Sequence, residues 1–214
     1  MEASRKLGYW ETICKFAHDL YAGTSIIVSL SKILGTINPQ DLYRALEIVH
    51  YRYAILQTTI VEQKHQHYLT QNVSFNAIPI RILPTSLIHP ENEIERELEQ
   101  PFPIDQYLWR FTAFCYHEGQ ESKNYFILTT HHSLSDGLTH VNLIEEILKT
   151  LKEIKQGNVS SFETIQLPLS IEALLPETSS WESFILAKNN LTPKETIAFP
   201  YQDYAPIKER KSRV

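Results

Sequence analysis

The sequence is short of sulfur and of glycine: its 214 residues hold two cysteines, one methionine and six glycines. Cys14 and Cys115 lie far apart and no Cys-x-x-Cys pair occurs, which argues against a zinc knuckle or a redox dithiol. The two thiols leave room for one disulfide, but buried free cysteines in a reducing compartment are the simpler reading. A basic excess is missing as well. Lys and Arg number 20 against 25 Asp and Glu, for a formal charge of -5. Only Lys208, Arg210, Lys211 and Arg213 cluster, as a solvated tail, so no nucleic-acid partner is expected. No apolar run approaches the ~20 residues of a membrane span, and Met1 to Trp10 lacks the core of a signal peptide. The expectation is a cytoplasmic chain with no transmembrane segment. No internal repeat is visible, which sets solenoids aside.

What is present is an ordinary globular balance, 43% hydrophobic and 21% charged. β-Branched residues from Thr24 to Leu34 predict a strand. Asn38-Pro39 reads as an N-cap followed by proline at the first helical position, and Leu42, Ala45, Leu46, Val49 and Tyr53 give the helical stripe of residues 39–53. Strands are predicted at 55–62, 67–72 and 78–83, with a polar turn at Lys64-His65-Gln66. Residues 91–100 predict a short acidic helix with Ile94 and Leu98 facing inward, ended by Pro101 and Pro103.

From Leu108 to Tyr116 a strand sets Trp109, Phe111, Ala113 and Cys115 on one face and Arg110, Thr112 and Phe114 on the other. A turn follows at 117–123, then a central strand at 124–130, apolar without a break through Tyr125-Phe126-Ile127-Leu128. After the loop that follows, a helix carries Leu138, Val141, Ile144, Ile147, Leu148, Leu151 and Ile154 as a core stripe and stops at Gly157. Five of the eleven prolines then fall between Pro168 and Pro206. The pattern predicts an α+β fold, a mixed α/β two-layer sandwich with helices on one face of a sheet. Residues 1–160 form the lobe, and 161–214 form an extended crossing segment.

The chemistry concentrates in His131-His132-Ser133-Leu134-Ser135-Asp136-Gly137, between the central strand and the last helix. Neighbouring side chains on extended backbone point to opposite sides, so one histidine should face inward and the other a cavity. Two ligands from such a dipeptide diverge and no third is nominated, so no metal site is assigned. Asp136 can cap the helix or hold the loop through an ion pair, and Gly137 suits a turn where a side chain would block a ligand. His65 and His67 read as an exposed hairpin tip, Ser133 and Ser135 as loop hydrogen-bonders, and Trp10, Trp109 and Trp181 as packing residues.

The heptapeptide resembles the HHxxxDG motif of the chloramphenicol-acetyltransferase-like acyltransferases, the superfamily of condensation domains, alcohol acetyltransferases and polyketide-associated acyltransferases. Leu42 to Thr59 is similar to its helix and "RHxxLRTxF" strand. Phe102-Pro103-Ile104-Asp105 with Leu108-Trp109-Arg110 resembles its "PFD…PLxR" stretch, and Leu167 to Pro176 the segment leaving the first lobe. The resemblance implies a chloramphenicol-acetyltransferase-like lobe. It makes His132 the general base, with His131, Asp136 and Gly137 as structural support. The reaction it implies is acyl transfer from a coenzyme A or carrier-protein thioester to an alcohol or amine, with no bound cofactor. Free imidazole titrates near pH ~6.5, so such a side chain can take up a proton near neutrality.

Two departures stand out. Where the condensation members carry the "LRT" arginine that pairs with the motif aspartate, this chain has Gln57, which leaves Arg110 or Arg52 as candidate partners of Asp136, or a site resembling the acyltransferase branch that lacks this arginine. Two-lobed members are also roughly twice as long, so a second lobe or self-association is implied. The other readings are a non-catalytic lobe acting by binding a partner, and metal-dependent hydrolysis through His131, His132 and Asp136.

Overall fold

Asn38 and Asp136 start two helices by the same device. Asn38 Oδ1 accepts the backbone N–H of Gln40 at 2.8 Å, and Asp136 Oδ1 accepts that of Thr139 at 2.8 Å, each satisfying a donor the helix leaves open. The structure, a computed structural model, describes residues 3–21, 23–84, 90–115, 123–158 and 163–174. The turn read at 117–123 falls outside the described residues except for Lys123. So do Trp181, the basic tail and all of the proline-rich segment beyond Leu174.

The elements in order are β1 (Ser4–Lys6), α1 (Tyr9–Leu20), β2 (Ile26–Leu34), α2 (Pro39–Arg52), β3 (Thr58–Gln63), β4 (Gln66–Gln71), β5 (Ile80–Pro84), α3 (Pro90–Glu99), β6 (Trp109–Cys115), β7 (Lys123–His131), α4 (Gly137–Lys155) and α5 (Ile171–Leu174). Four strands form a mixed sheet in the order β2-β7-β6-β5, antiparallel except for the parallel β5–β6 pair. The other three form a small antiparallel sheet, β1-β4-β3. Its β3–β4 hairpin turns on Lys64 and His65, both at positive φ. Residues 55–57, read as strand, instead belong to a 3-10 turn, Ala54–Gln57, before β3.

α2 and α4 pack on one another and lay Leu42, Leu46, Val49, Leu143, Ile147 and Leu151 into the same buried cluster as Phe111, Phe126 and Leu128. Trp109 closes the cluster toward the small sheet, its indole N–H donating to the Leu56 carbonyl at 2.9 Å. The two-layer α+β reading holds here, but α3 lies against the opposite side of the sheet, over β2 and β7. Its inward face is also the reverse of expectation. Glu93 and Glu97 are buried and Leu98 is exposed, because Arg81 on β5 and Arg110 on β6 meet the two glutamates from the sheet. Of the apolar stripe expected on α4, Ile144, Ile147 and Leu151 are buried, while Leu138 and Val141 are exposed.

α1 has no counterpart in the sequence reading. Arg5 forks onto Glu11 at 2.6 and 2.7 Å, and Glu11 Oε2 also accepts the Gly8 N–H at 2.7 Å, fixing the first turn. Its buried residues are Cys14 and His18, while Tyr9, Ile13, Phe16 and Leu20 form an exposed apolar stripe. Cys14 and Cys115 are both free and buried, and burial together with Glu11 pushes the Cys14 thiol up to about 11. Residues 163–174 run back along the lobe, with Ile165 bridged to Tyr53 and Glu172 accepting the Trp10 N–H at 3.1 Å. Among the described residues, no helix is long and apolar enough to cross a membrane.

Candidate active site

β7 ends at His131, and the extended backbone there sends the two histidines to opposite sides. His131 is 0% exposed and turns toward α1. Its Nδ1 accepts the Ser133 backbone N–H at 3.1 Å, which leaves the proton of the neutral ring on Nε2. The ring meets the edge of His18 at 4.9 Å and of Phe102 at 6.3 Å. His18 in turn donates from Nε2 to the Phe102 carbonyl at 3.1 Å. Burial, then the nearby His18 and His132, lower the His131 pKa to about 3. It is a neutral packing residue at physiological pH.

His132 is only partly buried. Its backbone N–H donates to the Ser25 carbonyl at 2.9 Å, tying the loop to the start of β2. The imidazole stands edge-to-face with Trp10 of α1 at 5.5 Å between ring centroids, and its Nδ1 is buried without a hydrogen-bond partner.

The rest of the loop is held from three sides. Ser133 Oγ donates to the Glu11 carbonyl at 3.0 Å, Leu134 is buried in the core, and Ser135 pairs with Thr130 through their hydroxyls. Thr130 Oγ1 also lies 2.6 Å from His140 Nε2, while His140 Nδ1 lies 2.9 Å from Ser29 Oγ. Burial lowers the His140 pKa to about 4, so a neutral ring bridges β2, β7 and α4 beneath the loop.

Asp136 uses one oxygen for the Thr139 backbone N–H at 2.8 Å and the Thr139 hydroxyl at 2.7 Å, and these bonds hold its carboxyl below the usual range. Neither candidate arginine is its partner. Arg110 is engaged by Glu97 beneath α3, and Arg52 Nη1 reaches Glu146 at 3.0 Å. Of the two roles the sequence offered it, Asp136 takes the helix cap, with the N-terminus of α4 as its positive partner. Gln57 has a separate duty: its amide donates to the His50 and Tyr51 carbonyls and accepts from Gln71, fastening the end of α2 to β4. A Cβ on Gly137 would meet nothing within 4 Å, so the space beside it is open rather than tightly packed. Among the described residues, no three His, Cys, Asp or Glu side chains gather closely enough to hold a metal.

The structure therefore brings His132 against Trp10, and Ser133 against Glu11, both on a helix that the sequence reading left out. His140 was also missed, although it begins the stripe that is truly buried, His140, Ile144, Ile147 and Leu151. Reading the apolar period from Leu138 hid it.

No protein-family model and no curated protein sequence matches the chain. Solved structures do. The starter condensation domain of rhizomide synthetase superposes with a TM-score of 0.63 at 17% identity, over 87% of this chain and 46% of that one. The first condensation domain of the CDA synthetase gives 0.63 at 16% identity, over 74% of this chain and 41% of that one. Polyketide synthase associated protein 5 from Mycobacterium tuberculosis gives 0.57 at 18% identity, over 80% and 38%. The chain spans less than half the length of each of these structures. The likeness is one of fold: the described chain folds like one lobe of these condensation domains and of the polyketide synthase associated protein.

Proposed function

We propose that this lobe carries the base of an acyltransferase, with His132 taking the proton of an alcohol or amine as that group attacks an acyl thioester. The observation that carries the proposal is the division of labour between the two histidines. His131 is fully buried and locked to Ser133, whereas the partly exposed His132 has only its Nδ1 buried. Nε2 is then the nitrogen of His132 that can meet a substrate.

The nucleophile's proton passes to Nε2 while its oxygen or nitrogen bonds to the thioester carbon. The tetrahedral intermediate collapses by breaking the C–S bond, and the imidazolium returns the proton to the leaving thiolate. Asp136 holds the loop against the start of α4 and does not move a proton. The donor is an acyl-coenzyme A or an acyl carrier protein. Because the chain spans less than half of the structures it resembles, a complementary lobe completes the substrate channel, supplied by another polypeptide, a longer form of this chain or a second copy.

Native mass measurement of the purified protein identifies that complement, and thiol release from acyl-coenzyme A and from an acyl carrier protein is then followed in the complete assembly. The His132→Ala variant should lose about a hundred- to ten-thousand-fold in rate. Unchanged turnover would show that His132 is not the base.

A further inference from the structure

Residues 163–174 form a strap that runs back to the first helix. Its start is seated by backbone pairing: the Ile165 N–H donates to the Arg52 carbonyl at 2.7 Å, and the Ile165 carbonyl accepts from the Ala54 N–H at 2.9 Å. Its far end is seated differently. Leu169 and Ile171 are exposed, so those apolar side chains do not anchor it. Polar contacts hold it instead: Arg5 Nε donates to the Pro168 carbonyl at 2.5 Å, and Glu172 Oε1 accepts the Trp10 backbone N–H at 3.1 Å. The four-residue helix α5 is too short to be stable by itself.

The first turn of α1 has no cap from its own capping residue. A helix N-terminus leaves its first backbone N–H groups open, and a side-chain oxygen on the capping residue ordinarily takes one at the second or third position. That residue is Gly8, which has no side chain. Glu172, 162 positions away in sequence, supplies the oxygen, and its negative charge suits the positive end of the helix. Gly8 also makes the approach possible. A Cβ there would collide with Glu172 Oε2 and lie 2.8 Å from Ser170 Cβ, although its φ of -71° would suit any residue. The turn capped in this way is the one that meets the motif loop: Trp10 stands against His132, and the Glu11 carbonyl accepts from Ser133 Oγ.

We infer that Glu172 is a positioning residue for His132, acting through the first turn of α1, and that the strap sets how firmly the imidazole is held. The inference rests on the reading of His132 as the base. Glu172 acts at a distance: it orders the backbone from which Trp10 reaches the imidazole. Lifting residues 168–174 uncaps α1 and loosens Trp10, while the bonds of the motif loop to Thr130 and Ser25 stay in place. A short segment with exposed apolar side chains, seated by a few hydrogen bonds, belongs to the low-cost end of local opening.

The test reads the Trp10 backbone amide and the His132 ring protons by NMR on the full chain, without substrate. Glu172→Ala should move the Trp10 amide upfield as its hydrogen bond is lost, and should move the His132 ring protons in the same direction as Trp10→Ala does. Glu172→Gln keeps an accepting oxygen and should leave both close to the parent. Gly8→Ala keeps the carboxylate but displaces the strap, and should reproduce the Glu172→Ala shifts. In the complete assembly, Glu172→Ala should lower kcat for acyl transfer about tenfold with KM little changed, since positioning is felt in the transition state. An unmoved Trp10 amide in Glu172→Ala would overturn the inference. So would His132 signals that stay put in either variant while that amide moves, because Glu172 would then be a helix cap alone. Absence of transfer by the parent assembly would instead strike the acyltransferase reading, and the substrate-free ring-proton shifts tell the two failures apart.

Discussion

The indole of Trp10 and the imidazole of His132 stand edge-to-face, 5.5 Å between ring centroids, although one belongs to the first helix and the other to a loop far along the chain. Such pairs contribute about 0.5–1.5 kcal/mol beyond area burial and set orientation more than stability. The Trp10→Ala variant should fold with a loss within about 1 kcal/mol, because the indole is already half exposed. The ring-proton signals of His132 should move as the ring-current contribution disappears. The proposed acyl transfer should fall about tenfold through loss of positioning, and Trp10→Phe should restore most of it.

Asp136 acts as a helix cap, which separates its effect on stability from any effect on chemistry. Asp136→Ala should cost about 1 kcal/mol in urea unfolding, and Asp136→Asn much less, since the amide oxygen can still accept from Thr139. The lowered carboxyl pKa fixes the sign of the pH dependence. The contribution is complete above the unfolded value near ~3.9 and is lost as pH falls through the lower folded value. The destabilisation by Asp136→Ala should therefore be constant from neutral pH down to about pH 4 and shrink below it.

Three buried histidines work in a higher range. Burial lowers His50 and His140 to about 4 and His131 to about 3. An unfolded chain protonates each near pH ~6.5, so below that value the unfolded state binds more protons than the fold. Stability is complete above ~6.5 and declines as pH falls toward the folded values. Each residue adds a slope of up to about 1.4 kcal/mol per pH unit. His50 donates to the Val73 carbonyl at 3.2 Å, away from the motif loop, and glutamine can replace that donor. Urea midpoints of His50→Gln between pH 6.5 and 4.5 should fall less steeply than those of the parent. An identical slope would mean that His50 titrates normally.

The Arg110–Glu97 pair is almost wholly buried, at 4% and 3% side-chain exposure. Removing one member strands the other. Glu97→Ala should cost about 3–5 kcal/mol in chemical unfolding. The double replacement Glu97→Leu with Arg110→Met should recover most of that, because neither charge then remains to be desolvated.

The sequence is most readable where one side chain has one purpose. Asn38, Pro39 and the run Leu42 to Val49 predict α2 almost to the residue, and β7 and α4 follow from an unbroken apolar strand and a period of 3.6. The divergence of His131 and His132 also follows from backbone geometry alone. It fails where polar residues are buried by partners distant in sequence. Nothing near Glu93 or Glu97 announces the arginines of β5 and β6, so hydrophobicity put Leu98 inside instead. α1 escaped for the converse reason: its apolar residues Tyr9, Ile13, Phe16 and Leu20 face outward, and its buried side includes His18, tied to Phe102. Asp136 reads from the sequence as either a helix cap or an ion-pair partner; the cap is what forms, and the arginine was implied only by the resemblance.

The pairing of β2 with β7 bears on how the chain is made. Ile26 lies opposite His131 and Leu34 opposite Lys123, and among the described residues β2 has no other strand beside it. As the polypeptide leaves the ribosome, β2 emerges early and stays without its ladder until β7 follows, while the β3–β4 hairpin can close at once between neighbours. The strand that delivers the motif loop is thus also the one that completes the sheet. A nascent chain halted before β7 leaves both β2 and β6 without the strand that joins them.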